Sequence, residues 1–150
     1  MKLVSVVVLL TAGLAVAGCA ATSGYKERSD LVSDPSACAD KRFEVYFDQD
    51  QARLTTAARE AISLTATQLQ GCNVTRVQVL GLADAQGGAT ANLNLSERRA
   101  QAVTTALEAA GLPAPVFEVQ AAGDAGATTA AGANAPLRRR TEVLIEARPR

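Results

Sequence analysis

The chain has 150 residues, enough for about one domain of ordinary size. Fifteen Lys and Arg balance fifteen Asp and Glu, so the formal net charge is zero and the broad basic field of a nucleic-acid binder is missing. Aromatic residues make up 3% of the chain and His is absent, so the core must be built from Val, Leu, Ile and Ala, and imidazole-based catalysis is excluded.

Lys2 supplies a positive start, and Leu3–Val16 is an apolar run broken by Ser5, Thr11 and Gly13. It is shorter than the roughly 20 residues that span a bilayer, and it has the build of an export signal. Val16-Ala17-Gly18-Cys19 resembles the lipobox of bacterial lipoproteins. That resemblance implies a lipoprotein signal peptide over residues 1–18 and acylation, palmitate included, at Cys19 as the first mature residue. A plain secreted protein or an uncleaved anchor is the alternative. Each buried methylene contributes about 0.8 kcal/mol, and more than one chain makes the hold lasting. Ala20 stands where lipoproteins kept at the inner membrane carry Asp, which implies an outer-membrane anchor with the domain in the periplasm. Residues 19–40 are poor in apolar side chains and read as a flexible tether, leaving 41–150 for the folded domain.

Phe43, Val45 and Phe47 alternate with Glu44, Tyr46 and Asp48, the pattern of a half-buried strand. Leu54-Thr55 opens a helix with Thr55 as N-cap; Ala58, Ile62, Ala66 and Leu69 follow at helical spacing, and Gly71 closes it. Val74, Val77, Val79 and Leu80 form a second strand ending at Gly81. Asp84 and a Gly87-Gly88 bend precede a helix from Asn92 to Ala110, stopped by Gly111-Leu112-Pro113. Val116–Ala121 is a third strand, and 123–136 a long irregular connection rich in Ala, Gly and Thr. Thr141–Ala147 is the last strand, with Val143 and Ile145 on one face and Glu142, Leu144 and Glu146 on the other. The order βαβαββ implies an α+β two-layer sandwich: a mixed four-stranded sheet, right-handed crossovers and both helices on one face. Cys38 and Cys72 precede the first and second strands. If those strands are parallel neighbours, the two thiols fall at the same edge of the sheet. A Cys38–Cys72 disulfide is then expected in an oxidising compartment, with two buried free thiols as the alternative. So few ligands point to no metal site and no cofactor.

The stretch from Asp84 through Gly87-Gly88 to Asn92 and Arg99 carries most of the chemistry. A carboxylate ends an apolar strand, a glycine bend follows, and a helix brings an arginine. An anion and a cation across a bend suit a zwitterionic head group with its ammonium and carboxylate. Asn92, Ser96, Arg99 and Val103 share one helical face by their spacing. A guanidinium fork matches a carboxylate through two parallel hydrogen bonds, and the glycines let backbone amides face a ligand. Asp84 and Arg99 could instead pair with each other, an exposed contact worth about 0–1 kcal/mol. A hydrolase would need a nucleophile with its base, or two spaced carboxylates, and neither constellation is visible, so the chain reads as no enzyme.

Four motifs then add up. Val45-Tyr46-Phe47-Asp48 with Leu54-Thr55, Gly81-Leu82-Ala83-Asp84 with Gly87, Asn92-x-x-Leu95-Ser96-x-x-Arg99-Ala100-x-x-Val103, and Arg138-Arg139-Arg140-Thr141-Glu142-Val143 together resemble the OmpA-like peptidoglycan-binding domain, which also occurs in peptidoglycan-associated lipoproteins, across about Arg42–Glu146. Leu82 and Ala83 stand where that family has His and Thr, and Arg138 where it has Asn. The resemblance implies the diaminopimelate residue of the peptidoglycan stem peptide as ligand, with Asp84 taking its ammonium and Arg99 its carboxylate. Asn92 holds the loop or donates directly. Gly87, Thr90, Asp48 and Arg139 complete the candidate set; a solvated strand end is the other reading of Asp48, and a solvated turn that of Arg139. The implied function is a non-covalent tether between outer membrane and cell wall. A periplasmic protein-interaction module that has lost wall binding is the alternative, permitted by Leu82 and Ala83. Other envelope proteins stay open as partners.

Overall fold

The computed structural model describes residues 38–113 and 116–150. The expected signal peptide over 1–18, the acylation site Cys19 and nearly all of the tether over 19–40 lie outside the described residues. Within them the order is β1 (Lys41–Tyr46), α1 (Thr56–Gln68), β2 (Asn73–Gly81), α2 (Ala89–Ala109), β3 (Phe117–Ala121), a 3-10 turn (Pro136–Arg138) and β4 (Arg140–Arg148). The four strands form one sheet in the order β1-β4-β2-β3. β2 and β3 are parallel, and β4 runs antiparallel to both β1 and β2. This is the mixed α+β sandwich that the element order implied.

Local chemistry explains the elements. Thr55 caps α1, its Oγ1 accepting the Ala58 N–H at 3.1 Å. Beyond the C-cap Leu69 the chain reverses at Gly71, whose φ of +83° is in the left-handed region open to glycine. α2 begins at Ala89, three residues before the expected Asn92, because the small residues 89–91 continue the helix back to Gly88. Its buried positions Asn92, Leu95, Ser96, Arg99, Ala100, Val103, Thr104 and Leu107 follow the helical repeat. β4 alternates almost perfectly: Thr141, Val143, Ile145 and Ala147 are buried and the residues between them half-buried. The core joins Val45 and Phe47, Val77 and Val79, Val143 and Ile145 to Ile62 and Ala66 of α1 and Ala100, Val103 and Leu107 of α2. Each fully buried aliphatic side chain of this size contributes about 1.5–3 kcal/mol.

Cys38 and Cys72 are joined, with Cα atoms 5.4 Å apart. The expectation that β1 and β2 are neighbours is corrected: β4 lies between them. They still point the same way, so both cysteines arrive at the C-terminal end of β4, and the lead-in to β1 crosses that end. Asp40 pins the crossing by accepting the Ala147 N–H at 3.1 Å and pairing with Arg148. Nor is 123–136 merely irregular: Ala127 is buried, Thr128 bridges Asn134, and a 3-10 turn closes the segment.

Hydrogen bonds continue the ladder past the strand ends at the opposite pole. The Phe47 N–H donates to the Arg139 carbonyl, Leu82 to Arg140, Ala83 to Gly123 and Ala122 to Gly81, all within 2.8–3.0 Å. They bring the residues after β1, after β2 and before β4 into one cluster.

Candidate functional site

Asp84 lies three residues beyond β2, 5% exposed. Its Oδ2 receives Arg139 Nη1 at 3.2 Å, and its Oδ1 accepts the Gln86 N–H at 3.3 Å. The Gln86 contact is the local turn that short acidic side chains favour. The Arg139 side chain keeps 28% of its surface, against 7% for Asp84, so the cation is the outer member of the pair. The Arg139 main chain is held independently, by the Phe47 N–H on its carbonyl and by its own N–H on Pro136.

Arg99 is wholly enclosed, at 0% exposure. Its Nε donates to the Gln51 carbonyl at 2.8 Å, Nη1 to Leu82 at 2.9 Å and Nη2 to Asp48 at 3.1 Å. The guanidinium lies over the Phe47 ring, 5.2 Å from its centre. One side chain thus sews the β1–α1 loop to the end of β2. Burial holds the guanidinium below the usual arginine range; the Asp84 carboxylate opposes that shift and Arg139 adds to it. Neither arrangement weighed from the sequence is the one found. Asp84 has Arg139 as its ion-pair partner, and Arg99 bonds backbone carbonyls beneath the site with no surface open to solvent.

The other candidates divide into supports and rim. Asn92 is 3% exposed, and its Nδ2 donates to Asp124 Oδ2 at 3.0 Å, so of its two expected roles it takes that of holding a loop. Gly87 has φ +93°, a backbone that favours glycine, and a Cβ there would sit 3.4 Å from Asn92 Oδ1. Thr90 is exposed in the first turn of α2. The Asp48 side chain is exposed and lines a polar hollow with Arg53, Thr55, Thr56 and Arg59, while its carbonyl serves Arg99. Leu82 and Ala83 are 1% and 0% exposed, so they belong to the packing under the site and not to its wall.

Two residues of the pole escaped the sequence reading. Asn134 Oδ1 accepts the Ala85 N–H at 3.1 Å, and Asp124 holds Asn92. The 123–136 segment is therefore folded back on the Asp84 loop and on the start of α2, with Ser96 Oγ accepting the Gly123 N–H at 2.9 Å. A signal was present: Asp124 and Asn134 are the one carboxylate and the one amide in a tract otherwise made of Ala, Gly, Thr and Pro.

Chemically, the pole offers a nearly enclosed carboxylate, a half-open guanidinium on top of it and a second cationic charge below. Such a set can exchange its internal ion pair for an external one.

Comparison with known proteins agrees with the fold and the motifs. The OmpA family matches residues 46–141. The chain is 31% identical over 103 residues to the probable lipoprotein YiaD of Escherichia coli, covering 67% of this chain and 47% of that protein. It spans about a third to a half of the length of the curated relatives that it matches. Among solved structures, the OmpA-like domain of FopA1 from Francisella tularensis superposes with a TM-score of 0.62 at 26% identity, covering 73% of each chain. The cell wall anchor of the T6SS from Pseudomonas aeruginosa gives 0.57 at 25% identity, covering 73% of this chain and 82% of that one. With most of its described residues inside the matched region and the sheet order and motifs in agreement, the chain belongs to the OmpA family.

Proposed function

We propose that this chain is a non-covalent tether of the cell envelope, anchored in the outer membrane through an acylated Cys19 and gripping the diaminopimelate head group of the peptidoglycan stem peptide with the Asp84 pole. The observation that carries the reading is the nearly buried Asp84 carboxylate, paired with a half-exposed cation that an incoming ammonium can replace. A desolvated carboxylate bonds an ammonium more strongly than an exposed one, because charge-assisted hydrogen bonds gain strength as water is excluded. The resemblance gives the ligand carboxylate to Arg99. Since that guanidinium is enclosed in the free protein, we assign it the role of a positive charge beneath the site and of the staple that fixes the loop after Asp48.

Further support comes from the relatives, one named a probable lipoprotein and one a cell wall anchor. The geometry also suits a tether. Cys38 and the disulfide sit at one end of β2 and Asp84 beyond the other. Nine residues of strand, at about 3.3 Å each, separate the two by roughly 30 Å. The chain toward Cys19 therefore leads away from the end of the domain opposite Asp84. Individually weak grips on one polymer hold through effective concentration. Leu82 and Ala83, on which the protein-interaction alternative rests, are packed beneath the site.

The test is sedimentation with isolated sacculi. Asp84→Asn keeps an acceptor for Gln86 but loses the charge, and it should leave the chain in the supernatant with an unchanged circular dichroism spectrum. Sedimentation equal to that of the wild type would end the assignment.

A further inference from the structure

The open sheet has two edges, and they are guarded differently. β1 carries three charges, Lys41, Arg42 and Glu44, in six residues, the usual defence of an edge against another chain. β3 carries a single charge, Glu118, in the run Phe117-Glu118-Val119-Gln120-Ala121. Glu118, Val119 and Gln120 are all exposed, and Val119 keeps 43% of its surface although its register partner Val79 is buried. The phase of the ladder fixes where the backbone groups of β3 point. The Ala122 N–H donates inward to the Gly81 carbonyl. By the alternation of a strand, Glu118 and Gln120 also turn their N–H and C=O groups toward β2. Phe117, Val119 and Ala121 therefore turn theirs outward, past the edge of the sheet.

We propose that the β3 edge is the docking surface for a second copy of this chain, paired antiparallel about a two-fold axis at Val119. In that register Val119 exchanges both of its backbone bonds with the partner's Val119, and Phe117 both of its own with the partner's Ala121, so every outward group of the strand is used. Between them Glu118 stands opposite the partner's Gln120 as a non-hydrogen-bonded pair, the closer kind, in which the amide donates to the carboxylate. No charge meets its like. An axis at Glu118 would set that carboxylate against its own copy, and an axis at Gln120 would carry Phe117 past the end of the strand. The helical layer agrees. α2 packs on β2 and β3 alike, so a mate across the β3 edge brings the two α2 axes to about 10 Å, the spacing of packed helices. Antiparallel pairing sets the two Asp84 poles at opposite ends of one continuous sheet. The stretch from Cys19 to Cys38 can reach roughly 60 Å at about 3.3 Å per residue, enough for both copies to enter one membrane. The pairing itself does not depend on what the Asp84 pole binds.

A five-residue edge makes a small interface, so the experiment traps the pair covalently. Full chains carrying Glu118→Cys and full chains carrying Gln120→Cys are oxidised in detergent, each alone and as a mixture. In the proposed register the two positions face each other with Cα atoms about 4.5 Å apart, within disulfide reach, while each meets its own copy only across a diagonal of about 7–8 Å. The covalent dimer of unlike chains should therefore be the dominant product of the mixture, and either chain alone should give little. The Cys38–Cys72 bond is closed throughout, and any product through Cys19 is common to all three samples. Val119→Pro in both chains should abolish the mixed dimer by removing the central donor. An outward N–H on an edge strand is where proline is tolerated, so the circular dichroism spectrum should not change. Val119→Lys sets two ammonium groups face to face and should abolish the mixed dimer with the backbone donors intact. Should Val119→Pro unfold the chain, Val119→Lys decides alone. Equal yields in the three samples, no covalent dimer in any of them, or a mixed dimer that survives Val119→Lys overturns the pairing.

Discussion

Replacing Arg99 by Ala should damage the fold first and binding only as a consequence. The side chain is fully enclosed and donates to three carbonyls, of which that of Leu82 is buried and those of Asp48 and Gln51 partly so. A buried acceptor stripped of its donor costs about 1–3 kcal/mol. Leu82 should bear the full cost, while the two loop carbonyls can recover some hydration. The stack on Phe47 adds about 1 kcal/mol, within the range of about 0.5–2 for such contacts. The total is about 3–5 kcal/mol, a large share of the roughly 5–15 that an ordinary domain possesses. In urea, at a typical slope of about 2 kcal/mol per molar, the midpoint should fall by roughly 2 M. Arg99→Met fills the space without the donors and should fall nearly as far, which separates hydrogen bonding from cavity formation. Arg98→Ala, on the exposed side of the same helix, should stay within about 0.5 kcal/mol. A midpoint for Arg99→Ala within about 0.25 M of wild type, which is about 0.5 kcal/mol at that slope, would refute the staple. Lost wall binding in an Arg99 variant would therefore report the loosened loop and not a lost ligand contact.

Other consequences follow from particular contacts. A Cβ on Gly81 would lie 1.9 Å from the Ser96 carbonyl oxygen, so Gly81→Ala must push α2 off β2; destabilisation of about 3 kcal/mol or more is expected in chemical denaturation. Gly88 has open space around it, and Gly88→Ser supplies the side-chain cap that α2 lacks, so it should be neutral or gain up to about 1 kcal/mol in the same assay. Reducing Cys38–Cys72, which closes a 34-residue separation, should cost about 3–4 kcal/mol, read as a lower melting temperature in reductant that the doubly serine-substituted chain reproduces. The Ala147 amide, and then Arg148, hold the Asp40 carboxyl below the ordinary aspartate value of 3.8. A lowered folded value stabilises fully above the unfolded one and is lost as pH falls through the folded one, so Asp40→Asn should flatten the acid limb of the stability curve.

The sequence was most legible where periodicity is dictated by burial. β4 shows its two faces directly, and α2 shows its buried stripe even though Arg99 and Asn92 interrupt the apolar pattern. The start of α2 was misplaced because Ala89-Thr90-Ala91 carries no apolar repeat, and Gly88 caps the helix without a side chain. Insertion of β4 between β1 and β2 is a long-range pairing that no local pattern encodes, although the disulfide survives it because both strands keep one direction. At the site, spacing put Asp84 and Arg99 at the same pole but could not say which cation reaches the carboxylate. That choice was made by the 3-10 turn at Pro136–Arg138, which delivers Arg139 to Asp84 from 55 residues away. Burial of Arg99 was equally hidden, because a helical arginine on an inward face reads as a ligand fork until the carbonyls around it are seen.

The most direct measurement is a titration of the full chain with a muropeptide that carries diaminopimelate, beside one that carries lysine at the same place. Lysine keeps the side-chain ammonium and lacks the carboxylate next to it. The account predicts heat of binding for the first, little for the second, and none for either with Asp84→Asn. Equal binding of the two muropeptides, or binding that ignores the loss of Asp84, would contradict it.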